Sequence, residues 1–370
     1  MLKKKLAFVG NSSFTMYNFR IGLFKALVQS GYDVTVIAPK DNDVSLYEIE
    51  NIHYIPITID CRGMNPLRDI QLIFQLNKIF QFEKFDFIFF YTIKPVIYGC
   101  IAARISKIHH ISVITGLGYT FMHAGFINRI TVALYKFALK KVKEVWFLNA
   151  DDRFVFSQKG ITKKKKTYLL NGEGVDTQAF FPHEKKKEYF SFIFIARVLW
   201  DKGIGEYVAA TRKLKEKHPK IRFQILGPLG AENPAAVKPE DMEQWVNEGV
   251  IDYLGETTKV ASYIANSDCV VLPSYREGLS RILLEAAAME RPIIASNVTG
   301  CKEIVEDGVS GYLCLPKDSE SLMDCMEKMY LLSDEERAAM GKRGREIVLE
   351  KFDEKNIINK YQKKLAEYLK

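Results

Sequence analysis

Short apolar runs alternate with longer amphipathic stretches along the whole chain. The runs 5–10 (KLAFVG), 32–39 (YDVTVIAP), 53–59 (HYIPITI), 85–92 (FDFIFFYT), 110–116 (HISVITG), 144–149 (EVWFLN) and 167–172 (TYLLNG) predict strands. They are nearly continuous in apolar character, the pattern of parallel strands covered on both faces. Between them lie helical patterns such as 18–31 (NFRIGLFKALVQSG), where Ile21, Phe24, Leu27 and Val28 share one face and Gly31 closes the helix. A proline and a lysine run in 180–189 (FFPHEKKKEY) break the pattern, which restarts with 190–198, 221–228, 250–256, 268–274, 291–296 and 311–316. This βαβ repetition predicts an α/β chain of two doubly wound, Rossmann-like domains, 1–183 and 184–354. Such domains face each other across a cleft at the carboxyl ends of their strands, where open α/β sheets bind ligands.

A chain of 370 residues with 48% hydrophobic positions has material for two cores. No stretch reaches the roughly eighteen unbroken apolar residues of a spanning helix. The start, MLKKKLAFVG, holds too short an apolar run for a secretory signal, and the six cysteines are scattered without CxxC pairing, so free thiols in a reducing cytoplasm are expected. Residues 1–185 hold 25 Lys and Arg against 15 Asp and Glu, whereas 186–370 hold 28 against 30. The excess positive charge of the first half points to an anionic partner, nucleic acid or acidic lipid.

The stretch SYREGLSRILLEAAA (274–288) carries two carboxylates, Glu277 and Glu285, eight positions apart. The preceding apolar run places Glu277 in a strand-to-helix turn and Glu285 about two turns into the helix, with Gly278 allowing close approach and Ser280 as a cap. A helix start suits a phosphate and a carboxylate in the adjoining loop accepts from sugar hydroxyls, a combination that suits a sugar nucleotide. In IARVLWDKGI, Arg197 ends a strand and Lys202 follows in a short turn, so two cations meet at one strand end and can neutralise a departing diphosphate.

With ARVLWDKGI, GPLGAENP, YLGE, LPSYREGLSRILLEAAAMERPIIASNVTGCKEIVEDGVSGYL, TGLGYTF and LLNGEGVD, the chain resembles the retaining family-4 glycosyltransferases of GT-B fold over nearly its whole length. Within that family it is most similar to bacterial N-acetylgalactosaminyltransferases acting on polyprenyl-diphosphate-linked sugars. The resemblance implies that Glu277 binds donor-sugar hydroxyls and Glu285 the ribose. It implies that Gly278, Leu279 and Ser280 lie near sugar and phosphate, that Arg197 and Lys202 hold the diphosphate, and that Tyr253, Leu254 and Gly255 line the base. Glu277, Arg197 and Lys202 are the expected catalytic residues. The resemblance further implies a UDP-sugar donor, an undecaprenyl-diphosphate-linked sugar as acceptor, and a C-terminal helix (355–370) that rejoins the first domain. Retention then proceeds by attack on the face the diphosphate leaves, with positioning and charge as the protein's main contributions.

No cofactor and no metal are expected, the UDP-sugar being a substrate. The triplet Asp41-Asn42-Asp43 is read as a solvated turn after a strand of the first domain. Candidates on the acceptor side are Gly10, Asn11 and Ser12 after the first strand, and Gly118, Thr120 and His123 in the loop 115–126. The segment 126–144 (FINRITVALYKFALKKVKE) reads as a basic amphipathic helix, with Ile127, Ile130, Leu134, Phe137 and Val142 among Arg129, Lys136, Lys140, Lys141 and Lys143. It predicts peripheral contact with an anionic membrane surface on the cytoplasmic face, helped by Met64, Leu67, Ile70 and Phe74; no nucleic-acid module is present. The rival readings are a UDP-sugar epimerase or hydrolase on the same scaffold and a non-catalytic sugar-nucleotide-binding module.

Overall fold

The computed structural model describes residues 3–41, 44–60, 63, 65–117, 121, 125–186, 189–230 and 233–370. The chain divides into two units, Met1–Gly174 with Glu354–Lys370, and Val175–Asp353.

In the first unit the chain runs β1 (Lys5–Val9), α1 (Ser13–Gln29), β2 (Asp33–Ala38), α2 (Ser45–Ile49), β3 (His53–Pro56), α3 (Pro66–Glu83) and β4 (Phe87–Tyr91). A π-helical turn (Pro95–Gly99) then leads into α4 (Cys100–Ile105), β5 (His109–Ile114), α5 (Phe126–Ala138), β6 (Glu144–Phe147), α6 (Ala150–Gln158) and β7 (Thr167–Leu169). The strands form one sheet in the order β3-β2-β1-β4-β5-β6-β7, and every pairing is parallel. Both faces are buried. Ala7, Val9, Ile88 and Phe90 meet Leu72, Phe80, Val96, Ala102 and Tyr135 from α3 to α5. Leu6, Phe8, Phe87 and Phe89 meet Phe24 and Leu27 of α1 on the other side. That double burial is why these strands read as unbroken apolar runs.

The second unit contains β8 (Ser191–Ile195), α7 (Ile204–Lys217), β9 (Arg222–Leu226), α8 (Pro239–Asn247), β10 (Asp252–Tyr253), α9 (Val260–Ala265), β11 (Cys269–Leu272) and α10 (Arg281–Ala288). It closes with β12 (Ile293–Ser296), β13 (Gly311–Cys314), α11 (Ser319–Leu331) and α12 (Asp334–Lys351). Its parallel sheet has the order β10-β9-β8-β11-β12-β13 around a single core. Each apolar run of the sequence overlaps a strand of one sheet or the other.

The chain leaves the first unit at Gly174, ahead of the expected boundary at 183, and Val175 N–H already bonds Phe352 O at 3.0 Å. The terminal helix α13 (Glu354–Tyr368) returns to the first unit, where Ile357, Tyr361 and Leu365 complete the core under α1. Glu144, fully buried at the start of β6, accepts from Trp146 Nε1 (2.8 Å), Lys364 Nζ (2.9 Å) and Tyr368 Oη (2.8 Å), and pairs with Lys166 (2.8 Å). Two other expectations change. Helix α1 starts at Ser13, five residues before 18, because Ser12 caps it by accepting from Thr15 N at 3.1 Å. The basic helix ends at Ala138; a 3₁₀ turn (Leu139–Lys141) follows, Val142 turns into the core, and Lys143 leads into β6.

Candidate active site

In the second unit the chain passes from β8 to β9 on one side, while β11 lies on the other. The gap beyond the carboxyl ends of β8 and β11 is therefore the topological switch point, where doubly wound sheets bind ligands. The loop after β8 carries Arg197 and, in a 3₁₀ turn (Trp200–Lys202), Lys202; the loop after β11 carries Glu277. Lys202 Nζ donates to Glu277 Oε1 at 2.6 Å, with both side chains more than four-fifths buried. An ammonium has three donors, so this bond leaves two for a ligand. Arg197 is exposed and, among the described residues, pairs with no carboxylate.

The two loops are braced against each other. Tyr275 N donates to Asp201 O at 3.0 Å, and Tyr275 Oη donates to Glu206 Oε1 of α7 at 2.8 Å. Gly203 has φ +76°, and a Cβ there would lie 2.0 Å from Pro273 O, so only glycine lets the cationic turn pass under the β11 loop. From below, Glu277 N bonds Thr299 O (3.0 Å) and Ser280 N bonds Gly300 O (2.8 Å). Gly300, at φ +84°, would place a Cβ 2.6 Å from the Glu277 backbone. Burial pushes the Cys301 thiol, beside Glu277 and Lys202, well above its usual value, so it is held neutral and unreactive.

The remaining expected donor residues are on the same carboxyl edge but are not equivalent. Ser280 stands at the cap position of α10, yet its side chain makes no capping bond and its N–H is taken by Gly300, so it braces the loop and offers no amide. Leu279 packs partly into the core, and Gly278 lies between it and Glu277. Glu285 is the fifth residue of α10, just over one turn in, where Arg281 Nε donates to its Oε1 at 2.8 Å. Burial raises the Glu285 pKa, and the Arg281 charge opposes that rise. Beyond β10, Leu254 N bonds Ile225 O (2.8 Å), Gly255 O accepts from Gly227 N (2.8 Å) and Tyr253 Oη donates to Gly227 O (2.9 Å). The backbone around Tyr253–Gly255 is thus fixed beside the end of β9.

In the first unit the switch point lies between β1 and β4. Gly10, Asn11 and Ser12 are there, Gly10 N bonding Ile37 O at 3.0 Å. Asp41 accepts from Ser13 Oγ (2.5 Å) and Phe14 N (2.9 Å), binding the start of α1. Its burial raises its pKa, and these hydrogen bonds outweigh that and lower it. Asn42, Asp43, Met64, Gly118, Thr120 and His123 lie outside the described residues. Sequence reasoning missed the β4 side of this edge. Thr92 has φ +67°, a costly value for a β-branched residue, and Lys94 pairs with Asp69 (2.7 Å), which also accepts from Tyr98 Oη (2.6 Å). The signal available was the proline of Thr92-Ile93-Lys94-Pro95 directly after a strand. Arg129, Lys136, Lys140, Lys141 and Lys143 are all exposed, whereas Leu134 is half-buried and Val142 buried.

Two parallel-sheet, Rossmann-like units in one chain are the architecture of the GT-B class. Residues 175–347 match the family of glycosyl transferases group 1 and residues 5–149 the glycosyl transferase 4-like family, so the chain belongs to these glycosyltransferases. It is 28% identical, over 97% of both chains, to the N,N'-diacetylbacillosaminyl-diphospho-undecaprenol alpha-1,3-N-acetylgalactosaminyltransferase of Campylobacter jejuni. It is 22% identical, over 83% of this chain and 82% of the relative, to an Escherichia coli UDP-Gal:alpha-D-GlcNAc-diphosphoundecaprenol alpha-1,3-galactosyltransferase. Among solved structures, sucrose-phosphate synthase from Thermosynechococcus elongatus has the same fold, with TM-score 0.85, 17% identity and 99% of each chain covered. Anabaena HepE in complex with UDP and glucose gives TM-score 0.81 and 19% identity over 98% of this chain and 100% of that one.

Proposed function

We propose that the chain is a retaining, metal-independent glycosyltransferase that moves a hexose or N-acetylhexosamine from a UDP-sugar to an undecaprenyl-diphosphate-linked sugar in bacterial glycan assembly. N-acetylgalactosamine in α-1,3 linkage is the specific transfer proposed. The observation that carries this reading is the Lys202–Glu277 pair at 2.6 Å on the switch point, with Arg197, which pairs with no carboxylate among the described residues, after the neighbouring strand. In it, Arg197 and the free donors of Lys202 take the diphosphate, and Glu277 accepts from the sugar hydroxyls. Glu285 meets the ribose, and the backbone of Tyr253–Gly255 meets uracil. The charge growing on the departing diphosphate is met by fixed cations, and the acceptor hydroxyl attacks on the same face and passes its proton to the leaving phosphate.

The activities of the two relatives, both on diphospho-undecaprenol-linked sugars, support the acceptor class. Among the described residues no helix is long and apolar enough to cross a membrane. A lipid-linked acceptor then requires the enzyme to work at the bilayer surface, proposed here as the cytoplasmic face, where each exposed cation of α5 and the following turn contributes about 1 kcal/mol near anionic lipid. The test is UDP release from a panel of UDP-sugars, with and without membrane extract containing lipid-linked sugars. Release that depends on the extract, is strongest with UDP-N-acetylgalactosamine and persists in EDTA is expected. Release without any acceptor would favour a hydrolase, consumption without release an epimerase, and binding without turnover a non-catalytic module.

A further inference from the structure

Helix α10 carries two polar side chains, Arg281 and Glu285, in an otherwise apolar run of Ile282, Leu283, Leu284 and Ala286–Ala288. Leu283, Leu284 and the three alanines are buried. Helix α12 packs so closely along it that a Cβ at Gly341 would lie 2.0 Å from Glu290 O, while Gly344 rests against Ala287. The helix therefore offers its two charges little water, and the Arg281 and Glu285 side chains are only 19% and 13% exposed. Charges this deep are ordinarily kept only when paired.

The pair is badly placed to stabilise the helix. Arg281 is the first helical residue and no acidic residue shares its turn, so a cation faces the positive end of the helix dipole. Arg before Glu is also the weaker order for an i,i+4 pair. Two local preferences are broken together, and such breaks concentrate at functional positions. What the pair does achieve is to fix a carboxylate. Among the described residues, Arg281 is the only side chain bonded to that of Glu285, through Nε to Oε1 at 2.8 Å. Burial raises the Glu285 pKa and the guanidinium counters that rise, which favours the ionised, acceptor-only form. The bond occupies one of roughly four lone-pair sites, and the planar guanidinium orients the others.

Resting on the ribose contact of Glu285 proposed above, we infer that Arg281 is a positioning residue that holds the Glu285 carboxylate for the 2′- and 3′-hydroxyls of the donor's ribose, making the site selective for ribonucleoside diphosphate sugars over their 2′-deoxy counterparts. Arg281 acts through Glu285 and touches no substrate. Two adjacent hydroxyls donate to a fixed carboxylate in charge-assisted bonds, roughly twice as strong as neutral ones. A 2′-deoxyribose supplies one donor fewer and leaves a buried acceptor without its partner. Without Arg281 the carboxylate is free to turn or to take up a proton, the bonds lose their charge assistance, and the discrimination falls with them.

The test is calorimetric titration of UDP and of 2′-deoxy-UDP into the full chain. Wild type should bind UDP at least about tenfold tighter than 2′-deoxy-UDP. In R281M that ratio should fall to about threefold or below, as charge assistance is lost. The accompanying loss of turnover should appear in KM for the UDP-sugar and not in kcat, because the ribose is held alike in ground and transition states. R281Q, a smaller change in packing, repeats the measurement should R281M not fold, and R281K, which keeps the charge without the planar fork, should regain part of the ratio. E285Q should match R281M, and R281M/E285Q should be no lower than E285Q, since Arg281 has no other route to the ribose. A wild-type ratio preserved in R281M or R281Q, or a double variant well below E285Q, overturns the inference while UDP binding stands. Wild type that binds neither nucleotide overturns the glycosyltransferase reading and this inference with it.

Discussion

Replacing Lys202 by Met keeps most of the side chain's volume and removes its charge, which separates what the ammonium does for Glu277 from what it does for a diphosphate. The two side chains are 18% and 15% exposed, so neither charge is well solvated once alone. Breaking a fully buried pair costs about 3–5 kcal/mol and an exposed pair under about 1; this pair, between those limits, should cost about 2 kcal/mol. In a unit of this size that lowers Tm by roughly 4–8 °C. Adding Glu277→Gln removes the stranded carboxylate, so K202M/E277Q should regain most of the lost stability. Turnover should behave differently. Losing one fixed charge that meets the leaving group costs about 10²–10³ in kcat, and the second substitution does not restore that charge. Thermal unfolding and UDP release, measured on the two single variants and the double variant, decide the matter. Turnover that recovers together with Tm, or K202M within twofold of wild type, would make Lys202 a structural residue and refute the reasoning.

Three further outcomes are expected. Arg197→Ala should lower turnover at least tenfold while shifting stability by less than about 0.5 kcal/mol, because the side chain is exposed and pairs with no carboxylate among the described residues; a large loss of Tm would contradict this. Gly300→Ala, at φ +84° with Glu277 2.6 Å from the new methyl, should cost about 1–3 kcal/mol and displace the Glu277 loop, read as a joint loss of Tm and turnover. Burial raises the Glu144 pKa, but Lys166, Lys364, Trp146 and Tyr368 outweigh it and hold the carboxyl down at about 2. Its stabilisation, about 3 kcal/mol, is therefore complete above the unfolded value near pH 4.3 and is lost as pH falls from there towards 2. Urea titrations at pH 3 and pH 6 should show that E144Q flattens this dependence, and a wild-type chain equally stable at both would contradict it.

What the sequence made legible follows from what is local. The strands were legible because burial on both faces leaves no polar alternation, and 85–92 and 268–274 announce themselves by composition alone. The Arg281–Glu285 pair is an i,i+4 contact, written in the spacing. The Lys202–Glu277 bond joins residues 75 positions apart through the adjacency of β8 and β11, which only the sheet order supplies. Pro182 and the lysines break the pattern near 183, which predicts the boundary there, whereas the chain changes units at Gly174, where the backbone is left-handed (φ +81°) and Val175 pairs with Asp353. The helical period carried Val142 onto an outward face, but the 3₁₀ turn after Ala138 rotates it inward. The inward side of α5 mixes Asn128 and Thr131 with Tyr135 and Ala138; which face of a mixed helix meets the sheet is decided by packing, not by period.

The proposed transfer depends on a grip on a nucleoside diphosphate by the second unit's cations. Calorimetric titration of UDP into the wild-type chain and into Arg197→Ala and Lys202→Ala tests it most directly. Saturable binding by the wild type, weakened at least tenfold in each variant and more weakly held as salt rises, is the predicted result. UDP affinity equal in all three chains would contradict it.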